Sequence, residues 1–262
     1  MRLEVTSEHA TKINDDFRKE TLRIVDASKT AGIGLRLLGA VAFSIHCGKF
    51  GHLQQLLGRA FTDIDLASYS RCRGDIVKLM TSLGYQEDFM ISRLYGSRRM
   101  LFHDQEKDRH CDVFLDRLEF SHDIPFEGRL EVDYPTVPLA ELLLEKMQIV
   151  KLNEKDVIDT IMLLREHEVG DGDDETINAR RISVLCAQEW GLWRTVTGNL
   201  GRIVDLFSQY KQLTEEDFAD IGRKVSALLK EIENEPKTLS WRLRSRVGER
   251  RKWYRDVDEI VR

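Results

Sequence analysis

Apolar residues recur at helical spacing near the start of the chain, at positions that include Ile13, Phe17, Leu22 and Val25. Side chains three and four positions apart share one face of an α-helix, so this pattern predicts a helix over residues 7–31. A pair of glycines follows and is expected to end that helix.

Shorter apolar runs, each bounded by turn residues, predict strands in the rest of the first half. The expected strands are residues 35–38, 60–68, 99–103 and 110–116, and a short helix is expected at 75–83. The polar residues 104–108 read as the turn between the last two strands. A first half of this kind mixes helices with a sheet.

Beyond Pro138 the pattern becomes helical almost throughout. The expected helices are residues 139–150, 155–165, 176–190, 191–210 and 214–234. The acidic run 170–175 is expected to be a solvated link. The chain is therefore predicted to form two domains, residues 1–136 with a sheet and residues 137–262 with helices alone.

Composition adds limits rather than a function. Of 262 residues, 42% are hydrophobic and 32% charged, and the net charge of −5 argues against a chain that is polycationic overall. The polar first residues lack the apolar run of a signal peptide, and no apolar stretch reaches the roughly 20 residues of a membrane span. Four scattered cysteines without CxxC spacing are typical of reduced thiols. These features predict a cytoplasmic protein without a membrane partner.

Two carboxylates stand one residue apart in the predicted strand 60–68, at Asp63 and Asp65. Alternate residues of a strand point to the same face, about 6–7 Å apart, while Ile64 and Leu66 would pack behind them. Two carboxylates on one face repel unless water or a cation separates them. Mg²⁺ prefers hard oxygen ligands and leaves positions open for phosphates, so the pair is a candidate magnesium site.

A third carboxylate comes from the strand predicted at residues 110–116. Asp112 lies between the apolar residues Cys111 and Val113, and a neighbouring strand would place it beside the first pair. Three carboxylates in one place suit two metals roughly 4 Å apart. Asp116 is the rival, since it shares a strand face with Asp112 but leads into a turn. Both acids have a plainer reading as solvent-facing charges on a half-buried strand.

Three motifs occur in the order found in a known superfamily. They are Leu38-Gly39-Ala40 with Ser44, then Thr62-Asp63-Ile64-Asp65-Leu66, then Cys111-Asp112-Val113. Together they resemble the polymerase-beta-like nucleotidyltransferases, most closely the branch of AbiEii-type toxin nucleotidyltransferases. In that branch an arginine commonly precedes the first acid by four residues, as Arg59 does here. A later helix with a lysine and aspartates is similar to the segment of Lys146, Asp156 and Asp159.

The resemblance implies an α+β fold, with a nucleotidyltransferase-type mixed sheet and flanking helices before an all-helical C-terminal domain. It implies Asp63, Asp65 and Asp112 as catalytic and Mg²⁺-binding residues. It also implies nucleotide contacts, which would come from Gly39, Ala40, Ser44, Arg59 and Lys146. Glycine or serine is usual in the family at the position of Ala40.

Several of these residues also have a plain structural reading. Ser44 could equally be a serine that packs within a helix, and Arg59 could be a surface arginine. Lys146 could cover Leu143 with its aliphatic stem at the surface. Asp156 could face the site; in the alternative interpretation, Asp156 and Asp159 are ordinary acids near a helix start.

Two further segments invite a function. His46, Cys47 and His52 suggest zinc, but without a fourth ligand nearby a flexible loop is the better interpretation. Residues 237–262 carry nine basic and four acidic residues, with Trp241 and Trp253 interleaved. This segment could grip RNA by phosphate contacts and stacking, but a terminal helix whose tryptophans pack on the core is favoured.

The expected function is a Mg²⁺-dependent nucleotidyltransferase, which would move a nucleoside monophosphate from a nucleoside triphosphate to a hydroxyl. The acceptor would be an RNA end, a protein or a small molecule. A toxin-like enzyme acting on RNA, with an antitoxin protein as partner, is the leading version. The alternatives are a catalytically silent nucleotide-binding protein on the same scaffold and a helical interaction protein.

Overall fold

The computed structural model describes residues 7–56, 61–94, 98–206, 209–211 and 213–257. The chain is a mixed α+β protein with a mixed sheet in its first half and helices in its second. It divides into two compact units. The first unit comprises residues 1–119 and 124–138, and the second comprises residues 120–123 and 139–262.

The first unit holds a sheet of five strands with the order β1-β2-β5-β4-β3. Their bounds are β1 Arg36–Leu38, β2 Asp63–Ser68, β3 Gln86–Glu87, β4 Arg99–Asp104 and β5 Arg109–Leu115. The central pair, β2 and β5, is parallel, whereas β1 pairs with β2, β3 with β4 and β4 with β5 in antiparallel register. The strands predicted at 35–38, 60–68, 99–103 and 110–116 are confirmed, with ends shifted by a few residues.

Helices accompany this sheet in the first unit. They are α1 Ser7–Thr30, α2 Gly39–His46, α3 His52–Leu56, α4 Arg73–Ser82 and α5 Phe89–Leu94. A separate two-stranded sheet is formed by β6 Arg117–Glu119 and β7 Asp123–Pro125. The predicted helix at the start of the chain and the short helix near residue 75 are confirmed. The short elements α3, α5 and β3 gave no clear sequence pattern because each spans at most two turns or two residues.

The core of the first unit lies beside the central strands. Ile64 and Leu66 on β2 and Val113 on β5 have no measurable exposure to solvent. Their β-branched and leucine side chains fill one surface of the sheet, which leaves the opposite surface of the same strands to carry polar residues. Along β2, alternating residues therefore form one buried apolar face and one face that carries the two aspartates.

The second unit is built mainly of helices. Their bounds are α6 Leu139–Met147, α7 Glu154–Glu166, α8 Ala179–Gln188, α9 Trp190–Leu206, α10 Glu215–Asn234 and α11 Leu239–Val247. Side-chain capping fixes several starts: Asn153 caps α7 and Thr214 caps α10, each in a reciprocal box with an aspartate three residues on. The helices predicted beyond Pro138 are confirmed in kind, with boundaries that differ by a few residues.

The expectation of an all-helical second half is wrong in one detail. The acidic link is bracketed by two short strands, β8 Glu168–Gly170 and β9 Thr176–Asn178, which pair in parallel. Three residues are too few to show alternation in the sequence, and parallel pairing of such close segments has no local signature.

The tryptophans of the C-terminal segment pack within the second unit. Trp241 meets Trp193 edge-on with ring centroids 5.2 Å apart, and Trp253 meets Trp190 at 6.1 Å. The favoured interpretation, a terminal helix with packed tryptophans, is confirmed in part: Trp241 lies on α11, whereas Trp253 contacts Trp190 from the chain that follows this helix. Among the described helices, none combines the length and the apolar character that crossing a bilayer requires.

Candidate active site

Asp63 and Asp65 lie on β2, the second strand of the five-stranded sheet and the parallel neighbour of β5. Both are partly exposed, whereas Ile64 and Leu66 between and beyond them are fully buried. The two carboxylates therefore leave the same face of the strand, opposite the packed face. This is the arrangement that the sequence pattern predicts for them.

Asp112 on β5 stands beside this pair. It is the register partner of Asp65 in the parallel pairing of β2 and β5, and His110 is the partner of Asp63. Register partners on adjacent strands project to the same side of a sheet, at a strand spacing of about 4.8 Å. The structure thus brings Asp63, Asp65 and Asp112, the aspartate trio, onto one face of two neighbouring strands.

Asp112 differs from the other two in its surroundings. Only 1% of its surface is exposed, and Arg99 on β4 forms a two-pronged ion pair with it. Arg99 Nε donates to Asp112 Oδ1 at 3.2 Å, and its Nη2 lies 3.1 Å from Oδ2. Sequence reasoning missed Arg99, because its contact with Asp112 depends on the antiparallel register of β4 and β5, which no local pattern reveals.

The rival acid, Asp116, has a different place. It follows β5 with a positive backbone φ of 64°, is exposed, and accepts a hydrogen bond from the backbone N–H of Ser70 at 2.9 Å. It is a turn residue that holds the chain at the strand end. Of the two candidates for the third carboxylate, Asp112 is the one beside Asp65.

The three aspartates share a face of the sheet, but their carboxylate oxygens are not close enough together to bind one ion as they stand. In the described part of the chain, the trio is not among the groups of three whose candidate ligand atoms all lie within 4.8 Å of one another. A metal bound by all three carboxylates therefore requires rotation of at least one side chain. Carboxylate oxygens are nevertheless the hard donors that Mg²⁺ prefers, so the donor set fits that ion.

Gly39 starts helix α2 directly against Asp65. Its φ is +67°, and a Cβ at this position would lie 2.3 Å from Asp65 Oδ2. Glycine is required twice here, once for the left-handed backbone and once for the space that the carboxylate occupies. Leu38, the residue before the helix, makes no side-chain hydrogen bond to the start of α2, and this positive helix end lies against the Asp65 carboxylate.

The other predicted nucleotide contacts fall in varied places. The Ser44 hydroxyl donates to the carbonyl oxygen of Val41 at 2.7 Å, which is the packing role weighed for it. Ala40 is buried and packs with Val41 and Phe61. Arg59 lies outside the described residues. The roles of all three toward a nucleotide stay predictions.

Lys146 belongs to the second unit and is buried, so its interpretation as a surface lysine is wrong. Its Nζ lies 2.8 Å from Glu145 Oε1, 3.4 Å from Asp159 Oδ2 and 3.8 Å from Asp156 Oδ1. Burial alone would lower the pKa of Lys146, but the three carboxylates together outweigh burial and raise it. The ammonium is charged, and it borders a cavity of about 480 Å³ within this unit.

The structure does not support a zinc site formed by His46, Cys47 and His52. The ring of His46 contacts Thr136 and lies 3.3 Å from Asp133 Oδ2, whereas His52 Nδ1 contacts the carbonyl of Lys49 at 3.0 Å. Cys47 is buried. These side chains are engaged separately, as expected of a loop with structural contacts.

Comparisons with known proteins add no assignment. No protein-family model, no curated protein and no solved structure matches the chain. The geometry described above is therefore the basis for a functional proposal.

Proposed function

We propose that the protein is a Mg²⁺-dependent nucleotidyltransferase that moves a nucleoside monophosphate from a triphosphate to a hydroxyl acceptor. One observation carries the proposal: Asp112 on β5 is the register partner of Asp65 on β2, with Asp63 on the same face. Three carboxylates on one face of two neighbouring parallel strands are costly for stability alone, since like charges repel. A divalent cation and a triphosphate would offset that cost.

The reaction balances as a single displacement. The acceptor hydroxyl oxygen attacks the α-phosphorus, a new phosphate ester forms, and the bond to the bridging oxygen breaks to release pyrophosphate. The hydroxyl proton passes to a carboxylate of the trio, for which Asp112 is the candidate. Mg²⁺, when bound, would neutralise charge on the attacking and leaving oxygens.

In this proposal, Gly39 and the start of α2 bind the triphosphate. A residue without a Cβ lets a ligand approach the backbone closely, and the positive end of a helix favours anions. Asp65 already occupies the space above Gly39, so the metal ligand and the helix start are held together. The phosphates would then approach the helix start beside the Asp65 carboxylate and its metal.

The test follows transfer of label from each α-labelled nucleoside triphosphate, with Mg²⁺, to total RNA and to cell extract. Asp63→Asn and Asp65→Asn should each lose transfer while the fold is kept. Asp75→Asn is the matched control, because Asp75 is an exposed acid of the same unit that pairs with Lys78. Transfer that survives in both site variants, or that is absent from the wild-type protein with every acceptor, contradicts the proposal.

The acceptor and the biological role are finer proposals. An RNA end fits the expected toxin-like activity, and a protein or a small molecule is the alternative acceptor. An antitoxin protein would be the partner in the toxin version. Digestion of the labelled product with ribonuclease or with protease separates the acceptors.

A second candidate function is a nucleotide-binding scaffold without turnover. The ion pair of Arg99 with the buried Asp112 favours it, since that pair neutralises the third carboxylate without a metal. Binding of a triphosphate in the absence of any transfer would support this version. Transfer abolished by Asp65→Asn would rule it out.

A further inference from the structure

Two histidines face each other across the antiparallel strands β4 and β5. His103 is the register partner of His110, and their rings stack with centroids 4.5 Å apart and planes inclined by 18°. Both are partly exposed. A cross-strand pair of imidazoles next to the turn of a hairpin places two sets of nitrogen donors side by side.

A carboxylate joins them from the turn between the strands. Asp108 has a backbone φ of 50°, and its Oδ1 lies 3.0 Å from His103 Nε2. The turn is held by Asp104, whose Oδ1 accepts from the N–H groups of Glu106 and Lys107 at 3.0 and 3.3 Å. An uncommon left-handed residue is thus fixed in a braced turn, with its carboxylate directed at the histidines.

The three side chains form one compact donor set. One ring nitrogen of each histidine and one oxygen of Asp108 all lie within 4.8 Å of one another. Donors of a tetrahedral zinc site stand about 3.4 Å apart, given bonds of about 2.0–2.1 Å, so binding one ion requires the side chains to rotate and the two stacked rings to turn toward a common point. The Asp108 side chain is 90% exposed, which leaves the position open to a metal and to water from solvent.

We propose that His103, Asp108 and His110, the histidine site, bind Zn²⁺ or a similar transition metal. Two imidazoles and one carboxylate with water in the fourth position are typical zinc ligands, whereas Mg²⁺ prefers oxygen alone. The histidine site is therefore chemically distinct from the aspartate trio, although His110 is the register partner of Asp63. The bound metal would tie the β4–β5 turn to the sheet beside the trio.

The first test is titration of the intact chain with Co²⁺, a spectroscopic probe for zinc sites. Tetrahedral Co²⁺ with nitrogen donors absorbs strongly in the visible, whereas octahedral Co²⁺ on carboxylates and water absorbs weakly. We expect one equivalent of the intense species, displaced by Zn²⁺. His103→Gln and His110→Gln should each weaken Co²⁺ binding by at least about tenfold.

Controls separate this site from the aspartate trio. His52→Gln removes an exposed histidine of the same unit that contacts the carbonyl oxygen of Lys49 and belongs to neither candidate site, so it should leave the spectrum unchanged. Asp63→Asn should also keep the intense band. A band that persists in both histidine variants, or that is absent from the wild-type protein, overturns the proposal whatever the outcome of the transferase assay.

A substitution of Asp108 tests the site without disturbing the fold. Asp108→Asn keeps a residue that tolerates positive φ and removes only the carboxylate charge, so the fold should remain intact. Zn²⁺ should raise the melting temperature of the wild-type protein, since a ligand that binds the folded state stabilises it. The same addition should give a smaller rise for Asp108→Asn and none for His103→Gln. Equal rises in all three proteins would contradict the site.

Discussion

The carboxylate of Asp65 fills the space that a side chain at Gly39 would need. A Cβ on residue 39 would stand 2.3 Å from Asp65 Oδ2 and 3.1 Å from Asp65 Cβ. The start of α2 and strand β2 therefore fit together closely at Asp65 Oδ2. Gly39 and Asp65 therefore depend on each other structurally.

We expect Gly39→Ala to lower the free energy of unfolding and to displace Asp65. The left-handed backbone costs a non-glycine residue roughly 1–2 kcal/mol, and the clash adds to this. Urea unfolding measures the loss. Gly34→Ala is the control, because a Cβ there meets nothing within 4 Å. Equal unfolding free energies for the two variants would contradict the close contact.

The sequence predicted this part of the site because its signals are local. Alternation along residues 63–66 shows a strand with one packed face, and the glycine before a helix shows an unusual backbone. The partner of Asp112 had no such signal. Arg99 reaches Asp112 only because Leu101, two residues on, is the register partner of Asp112 across β4 and β5. Register between distant strands is a property of the folded sheet.

Helix α6 shows why the alternative interpretation of Lys146 as a surface residue is wrong. All nine residues of this helix are buried, including Glu141, Glu145 and Lys146. A helix that is enclosed on all sides has no solvent face on which its charges would be expected, so the usual reading of polar positions as surface positions fails. The charges are instead paired internally: Arg181 Nε donates to Glu141 Oε1 at 2.9 Å.

We expect Arg99→Met to destabilise the first unit, because it leaves the carboxylate of Asp112 buried without its arginine. Breaking a buried pair from one side costs on the order of 3–5 kcal/mol. Arg99→Met with Asp112→Asn should recover much of that loss, since no buried charge remains. The double-mutant cycle is measured by urea unfolding. A double variant no more stable than Arg99→Met alone would show that the pair is not the cause.

Lys146→Met should destabilise the second unit at neutral pH by about 3–5 kcal/mol, because three carboxylates then remain without their shared cation. Lys155→Met, a change at an exposed lysine of α7, should stay within about 0.5 kcal/mol of the wild-type protein. Both are measured by urea unfolding. Similar losses in the two variants would show that the buried cluster is not stabilising.

The same cluster has a defined dependence on alkaline pH. The pKa of Lys146 in the folded protein is raised above the ordinary value of 10.5. Such a group contributes stability that is fully present below pH 10.5 and is lost as pH rises through the folded pKa. The gap between wild type and Lys146→Met should therefore be constant across neutral pH and shrink only in strongly alkaline solution. A gap that shrinks near neutral pH would contradict this.

Asp220 on α10 gives the opposite dependence, in acid. Lys224 Nζ and Arg165 Nη1 lie 2.8 and 2.7 Å from Asp220 Oδ2, and Arg223 donates to Oδ1 at 2.7 Å. Burial alone would raise the pKa of Asp220, but these three cations outweigh burial and lower it from 3.8 to about 2. The carboxylate thus serves as the shared anion of three basic side chains.

We expect Asp220→Asn to lower the free energy of unfolding at neutral pH by roughly 2 kcal/mol, the scale of hydrogen bonds to charged groups. Because the folded pKa is depressed, this contribution is present above pH 3.8 and is lost as pH falls through about 2. The difference in unfolding free energy between Asp220→Asn and the wild-type protein should therefore become smaller when urea unfolding is followed from about pH 7 to about pH 2.5. Asp171→Asn changes an exposed acid of the link, so its unfolding free energy should equal that of the wild-type protein at both neutral and acid pH. A gap for Asp220→Asn that persists unchanged in acid would place its origin in packing rather than in charge.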